Sequence, residues 1–261
     1  MFNFKNVQYF LYFFFYSHLL YYLIGKGEMG NYKNGLETKN NIYYEARKSF
    51  IKKGYGSTTL RDISDALDIR LSLINYYYGS KENLAFIIFK DYTNEIDLAI
   101  KELFDSENVN SLQERIYYDI SSYMAYFECF KSVPELGRFY ADICSVKGFS
   151  ESLKDIMKYY TDNTLYGEYG ADSNPDLSDP DYYEIIHTLL AGMEIELMKS
   201  LFDGKLEIDF DKAVNTYLAE FYRHLFADFK AVKTALKRSR KVVGKIKAEL
   251  DEDCSLIISL R

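Results

Sequence analysis

Apolar residues recur at intervals of three to four over most of this chain, the spacing of helices that bury one face. The first such stretch is 38–53, where Ile42, Ala46 and Phe50 lie four apart. Lys39, Arg47, Lys48, Lys52 and Lys53 fall largely outside that face, and Gly54 follows as a terminator. Thr58 to Lys81, TTLRDISDALDIRLSLINYYYGSK, then reads as two short helices about a tight turn. Leu60, Ile63, Ala66 and Leu67 mark the buried face of the first, and Asp68-Ile69-Arg70 breaks the pattern. Leu71 to Tyr78 resumes it, with Ile74 and Tyr78 four apart. Thr58 and Thr59 are candidate caps, and Thr59 with Asp62 approximates a capping box. Gly79-Ser80 ends the second helix, and Ser80 can cap the next, which opens at Lys81.

Beyond this unit the pattern predicts a linking helix over 81–104, with Leu84, Ile87, Ile88, Ile96 and Ile100 apolar. Helices follow at 111–130, 133–146 and 149–167, then a loop over 167–181 rich in Gly, Asp, Ser and Pro. Two long amphipathic helices occupy 182–202 and 209–229. The first carries Ile185, Ile186, Leu189, Leu190, Met193, Leu197 and Leu201; the second carries Val214, Tyr217, Leu218, Phe221, Leu225 and Phe226. Stripes this wide can serve a core and a seam together. Residues 230–248 are basic and weakly amphipathic, and read first as a solvated helix. Alternatives are contact with DNA phosphates, an anionic membrane surface or the acidic body of the protein itself. No strand alternation stands out.

Charge sharpens this division. The net charge of −7 hides a basic head, an acidic body and a basic extension, with +1 on residues 1–37 and −3 on residues 249–261. Residues 38–90 carry +4, residues 91–229 carry −17 and residues 230–248 carry +8. A basic module on an acidic body suits nucleic-acid binding by the module alone. The chain holds 26 Tyr and 19 Phe but no Trp. Phe, Tyr, Asn, Ile and Lys all have AT-rich codons, so much of this enrichment needs no structural cause. Cys129, Cys144 and Cys254 are far apart and show no metal spacing, which fits a reducing compartment.

Two short helices about a three-residue turn are the elements of a helix-turn-helix, whose second helix enters the major groove. The run from Ile42 through Leu84 resembles the DNA-binding head of TetR-type transcriptional regulators. The matching positions are Ala46, Phe50, Gly54-Tyr55, Thr58-Thr59, Ile63, Ala66, Tyr76 and Ser80-Lys81-Glu82-Asn83-Leu84. The likeness covers roughly 45 residues directly. It implies an all-α fold: a three-helix DNA-binding head over 38–84, then a larger helical ligand-binding and dimerisation domain over 85–229. It also implies a cytoplasmic homodimer joined through helices 182–202 and 209–229, a double-stranded palindromic operator and a small-molecule effector of unknown identity. No cofactor, metal or catalytic residue is expected.

The resemblance places Thr58, Thr59, Tyr76 and Lys81 at the DNA backbone. The groove-facing positions depart from the usual pattern. Asp68 stands at the usual Gly of the turn, and Arg70 at the usual small polar cap. Asn75 replaces a usual Tyr and Tyr77 a usual His, while Ser72 keeps a small residue. Leu71 and Leu73 occupy positions often small or polar. Leucines in a groove can touch thymine methyls, Asn75 can pair with adenine, and Arg70 with guanine or phosphate. Alternatively Leu71 and Leu73 pack inward.

Two other classes compete with this reading. An enzyme finds no support in a Gly-rich phosphate loop, a Ser/His/Asp order or HExxH, and Glu194/Glu196 lack a His at metal spacing. His187 reads as a packed histidine. In the body, aromatic rings and carboxylates would suit an aromatic or cationic ligand. A membrane-associated helical protein would use residues 9–24 and the basic 230–248 segment. Residues 1–28 hold the apolar run FLYFFFYSHLLYYLIG, a short anchor or an upstream extension translated ahead of a start at Met29. Gly25-Lys26-Gly27-Glu28 must have purine-rich codons resembling a ribosome-binding site, which favours the extension.

Overall fold

The computed structural model describes residues 32–103, 111–162 and 174–260. The apolar run and the expected start at Met29 lie outside them. Among the described residues ten α-helices and one hairpin are formed. The head comprises α1 (Tyr32–Lys52), α2 (Leu60–Ala66) and α3 (Leu71–Tyr78). Helix α4 (Lys81–Leu103) leads into the body, made of α5 (Leu112–Ser132), α6 (Pro134–Ile143), α7 (Phe149–Tyr160), α8 (Pro180–Phe202), α9 (Phe210–Leu225) and α10 (Phe229–Val243). Strands β1 (Ile246–Leu250) and β2 (Leu256–Leu260) pair antiparallel, with Ile246 opposite Leu260 and Leu250 opposite Leu256.

The ends of these helices follow local chemistry. Pro134 and Pro180 open α6 and α8 at the first turn, where a missing N–H costs nothing. Asp179 and Asp209 cap α8 and α9 through their side chains. Gly54 takes a φ of 92° after α1, a left-handed conformation that glycine adopts without strain.

Head and body share one core. Phe50 of α1 stacks on Phe139 of α6 with ring centres 6.0 Å apart. Helix α4 buries Leu84, Ile88, Ile96 and Ile100 as its spacing predicts, but Ile87 is exposed. Ala66 of α2 is exposed as well, so Ile63 and Ser64 are the buried positions of that short helix.

The segment after α9 departs most from its sequence reading. Helix α10 buries Val232, Ala235, Leu236, Ser239 and Val243 at helical spacing, largely against α5. Ser121 and Ser239 share a buried hydroxyl hydrogen bond of 2.8 Å at this contact. Arg238 bonds Glu114 at 2.7 Å and lies 3.7 Å from the Tyr117 ring centre. The helix is therefore part of the core, and only its cationic side faces out. Its apolar side is committed to α5 and is not free to lie on a membrane. Among the described residues no helix is long and apolar enough to cross one.

The α9 stripe of Val214, Tyr217, Leu218, Phe221, Leu225 and Phe226 is wholly buried within the chain. On α8 the broad stripe splits. Ile186 and Leu190 face the core, whereas Ile185, Leu189 and Met193 are 58%, 56% and 42% exposed.

Candidate nucleic-acid interface

Thr59 caps α2: its hydroxyl accepts from Asp62 N–H at 3.1 Å, and Asp62 Oδ2 accepts from Thr59 N–H at 2.7 Å. This is the capping box expected from the sequence, with Asp in place of Glu. These hydrogen bonds hold the Asp62 carboxyl below its usual pKa. The turn that follows keeps its left-handed residue although glycine is absent, since Asp68 sits at a φ of 50°. Aspartate is among the few side chains that visit this region readily. Helix α3 then begins at Arg70, which supplies no side-chain cap. Ile74 and Tyr78 anchor it, and the Tyr78 hydroxyl donates to the Lys39 carbonyl of α1 at 2.9 Å.

These anchors fix which face of α3 looks outward. Arg70, Ser72, Asn75 and Tyr76 are exposed, Tyr76 at 79%. They form a polar and aromatic surface at the spacing of one helix face. Leu71 is half-buried and packs on the core, so it follows the inward alternative. Leu73 and Tyr77 are half-buried at the margins of the surface, with the Tyr76 and Tyr77 rings edge to face at 5.0 Å. Lys81 opens α4 beside α3, its ammonium 4.0 Å from the Tyr55 ring centre. Burial lowers its pKa, against the opposing pull of Glu82, Asp142 and Asp62.

Two residues do not stand where the sequence reading put them. Thr58 is fully buried, and its hydroxyl lies 2.9 Å from the Gly54 carbonyl and 3.2 Å from that of Ser49. The hydroxyl is turned inward onto the carbonyls at the end of α1 rather than outward to solvent. Arg47 is also buried, unlike the exposed Lys48, Lys52 and Lys53. Its guanidinium forks onto Glu95 of α4 at 2.7 and 2.8 Å and donates to the Cys254 carbonyl at 2.9 Å.

In the body, Glu194 of α8 is fully buried and accepts from three tyrosines. Tyr217 donates at 2.8 Å, and Tyr123 and Tyr140 are also bonded to the carboxylate. Burial raises its pKa, and the tyrosine hydroxyls pull the other way. The cluster was missed in the sequence. Its signal was the position of Glu194 four residues from both Leu190 and Met198 on the inward stripe. His187 is packed, its Nε2 2.8 Å from the Thr161 hydroxyl and its Nδ1 2.7 Å from the Tyr183 carbonyl. Among the described residues no group of three His, Cys, Asp or Glu is placed to hold a metal.

Residues 42–86 match the sequence profile of the bacterial regulatory proteins of the tetR family. No curated protein matches the chain. Among solved structures, RolR in complex with the ligand resorcinol is 14% identical, with a TM-score of 0.57 over 79% of this chain and 96% of that one. NalD, the secondary repressor of the MexAB-OprM multidrug efflux pump in Pseudomonas aeruginosa, is 15% identical, with a TM-score of 0.45 over 75% and 99%. A tetR-family regulator from Shewanella sp. PV-4 is 14% identical, with a TM-score of 0.48 over 72% and 98%. The RolR likeness shows that head and body together follow a shared helical fold. Residues 42–86 are thus similar to the tetR family of bacterial regulatory proteins, within a chain that shares the helical fold of RolR.

Proposed function

We propose that this chain is a transcriptional repressor that grips a palindromic operator as a homodimer and releases it when a small molecule enters the helical body. The observation that carries the reading is the outward face of α3. Its two inward anchors, Ile74 and Tyr78, leave Arg70, Ser72, Asn75 and Tyr76 presented together on a basic head. Arg70, Ser72 and Asn75 then read base edges, with Leu73 and Tyr77 at the margins. Thr59, Tyr76 and Lys81 hold the phosphate backbone and set the register. Thr58 and Leu71 support the unit from beneath.

Pairing through α8 is supported by the exposed stripe of Ile185, Leu189 and Met193, an apolar face left uncovered by the described residues. A two-fold pair would set two α3 helices about 34 Å apart, one turn of the duplex. The effector would act where α8 meets the Tyr123, Tyr140 and Tyr217 cluster around Glu194. A buried carboxylate ringed by phenols suits a ligand that is cationic or rich in hydroxyls. Effector and operator must then weaken each other by the same factor. No chemical step is assigned to the protein.

The test is selection of duplexes from a random-sequence pool by the whole protein, followed by anisotropy under salt titration with unrelated DNA as competitor. Recovery of an inverted repeat that binds two chains per duplex is the expected result. Equal binding to all sequences, or one chain per duplex, would overturn the proposal.

A further inference from the structure

The Arg47 side chain joins three parts of the molecule that are remote in sequence. It belongs to α1 of the head, its carboxylate partner Glu95 to α4, and its carbonyl partner Cys254 to the turn of the C-terminal hairpin. The same two acceptors are tied to each other's neighbours. The Tyr92 hydroxyl of α4 donates to the Cys254 carbonyl at 2.7 Å, and Leu256 N–H donates to Glu95 Oε2 at 2.9 Å. The guanidinium carbon lies 4.1 Å from the Tyr92 ring centre. The turn is itself braced, because Asp251 Oδ1 accepts from Asp253 and Ser255 N–H at 2.9 and 2.7 Å. That bracing holds Cys254 at a φ of 62°, which presents its carbonyl to Arg47.

Elsewhere the head meets the body through α4 and through the apolar contact of α1 with α6. Apolar contacts resist separation but tolerate sliding, whereas a forked guanidinium fixes direction as well as distance. The hairpin reaches the node while packed on α4 and α5 of the body. From this geometry we infer that the C-terminal hairpin sets the orientation of the DNA-binding head, and that Arg47 is a positioning residue for operator binding. Arg47 touches no DNA; it acts through Glu95 and the Cys254 carbonyl. A head held at one angle meets the second half-site without searching, and a loosened head loses that advantage in effective concentration.

The experiment compares wild type with full-length Arg47→Lys and Asp251→Ala, which weaken the node from opposite sides. Lysine keeps the charge but cannot fork. One arm measures intrachain distances between nitroxides at Lys53→Cys on the head and Glu151→Cys on the body, both exposed positions, with labelled chains diluted in unlabelled. The native cysteines are buried. The expected result is a narrow distribution in wild type and a broad one in both variants. The other arm measures affinity for a duplex selected by wild type and for the same duplex with one half scrambled. Half-site affinity should hold while the full-to-half ratio falls about tenfold or more, a fraction of the avidity that linkage supplies. Unchanged distributions, an unchanged ratio, or equal loss on both duplexes would overturn the inference. This arm rests on the dimeric reading. Wild-type protein that bound both duplexes equally would overturn that reading instead, and the distance distributions alone would decide the inference.

Discussion

Lys81 holds its ammonium over the Tyr55 ring at the start of α4, partly sheltered by the head. Among the described residues its charge lies against a ring face and in no ion pair, so it can meet a phosphate without breaking one. Lys81→Ala should weaken binding to every sequence alike and lower the slope of log affinity against log salt by about one. A salt titration that leaves the slope unchanged would remove Lys81 from the phosphate contacts. Glu194 poses a different problem, because its carboxyl is fully buried and burial raises its pKa. A carboxyl with a raised pKa binds its proton more tightly in the fold than in the unfolded chain. Its contribution to stability is present at low pH and is lost as pH rises from about 4.3 through the folded value. Glu194→Gln, which mimics the protonated form, should gain on wild type in urea midpoint as pH rises through that window. A gap between the two that stays constant with pH would show that folding leaves the pKa of the carboxyl unraised. Arg47 could not have been read as buried from α1 alone. It sits next to Ala46 at a position the apolar spacing leaves outside, and its partners are 48 and 207 residues away.

At the scale of elements, the helix-turn-helix was legible because its signals are local. The Thr59–Asp62 cap, the break at Asp68 and the stop at Gly79 each act within a few residues of themselves. Helix α10 was legible as a helix but not as core. Its six cations mask the stripe of Val232, Ala235, Leu236, Ser239 and Val243, two of which are small. Small residues carry a weak apolar signal, yet they let α10 approach α5 closely. Leu236→Ala should cost about 2–4 kcal/mol in denaturant unfolding if the helix is core, and well under 1 kcal/mol if it were solvated. The hairpin escaped notice because five residues of alternation, Ile246 to Leu250, follow directly on a lysine-rich helix. Leu256 to Leu260 shows a run of apolar residues instead of alternation. Only the acidic turn between them, which folds back to reach Arg47, gives the pair its purpose.

For the molecule as a whole, the division of charge and the division of labour coincide. The surface proposed for recognition lies on the basic head, and the buried carboxylate lies in the acidic body. An acidic body held near DNA would be repelled from the duplex, which would confine contact to the head. Assembly turns on the exposed stripe of α8. Leu189→Asp places a charge in the middle of that stripe without touching the interior, since the leucine is more than half exposed. Sedimentation should then find a folded monomer, with affinity for a palindromic duplex reduced to that for a single half. A dimer that survived the substitution would locate the seam elsewhere.

The closure of Cys254 on Arg47 also has a consequence in time. Synthesis runs from the head to the hairpin, so the helix-turn-helix emerges early and can fold from contacts close in sequence. Its orientation must wait for a contact spanning 207 residues, made only after every helix has been translated. Contacts of such separation form late. A nascent or prematurely ended chain thus carries a recognition helix able to touch DNA but with no fixed bearing. Under the proposed function, operator occupancy would in this way be tied to the translation of the hairpin that carries Cys254.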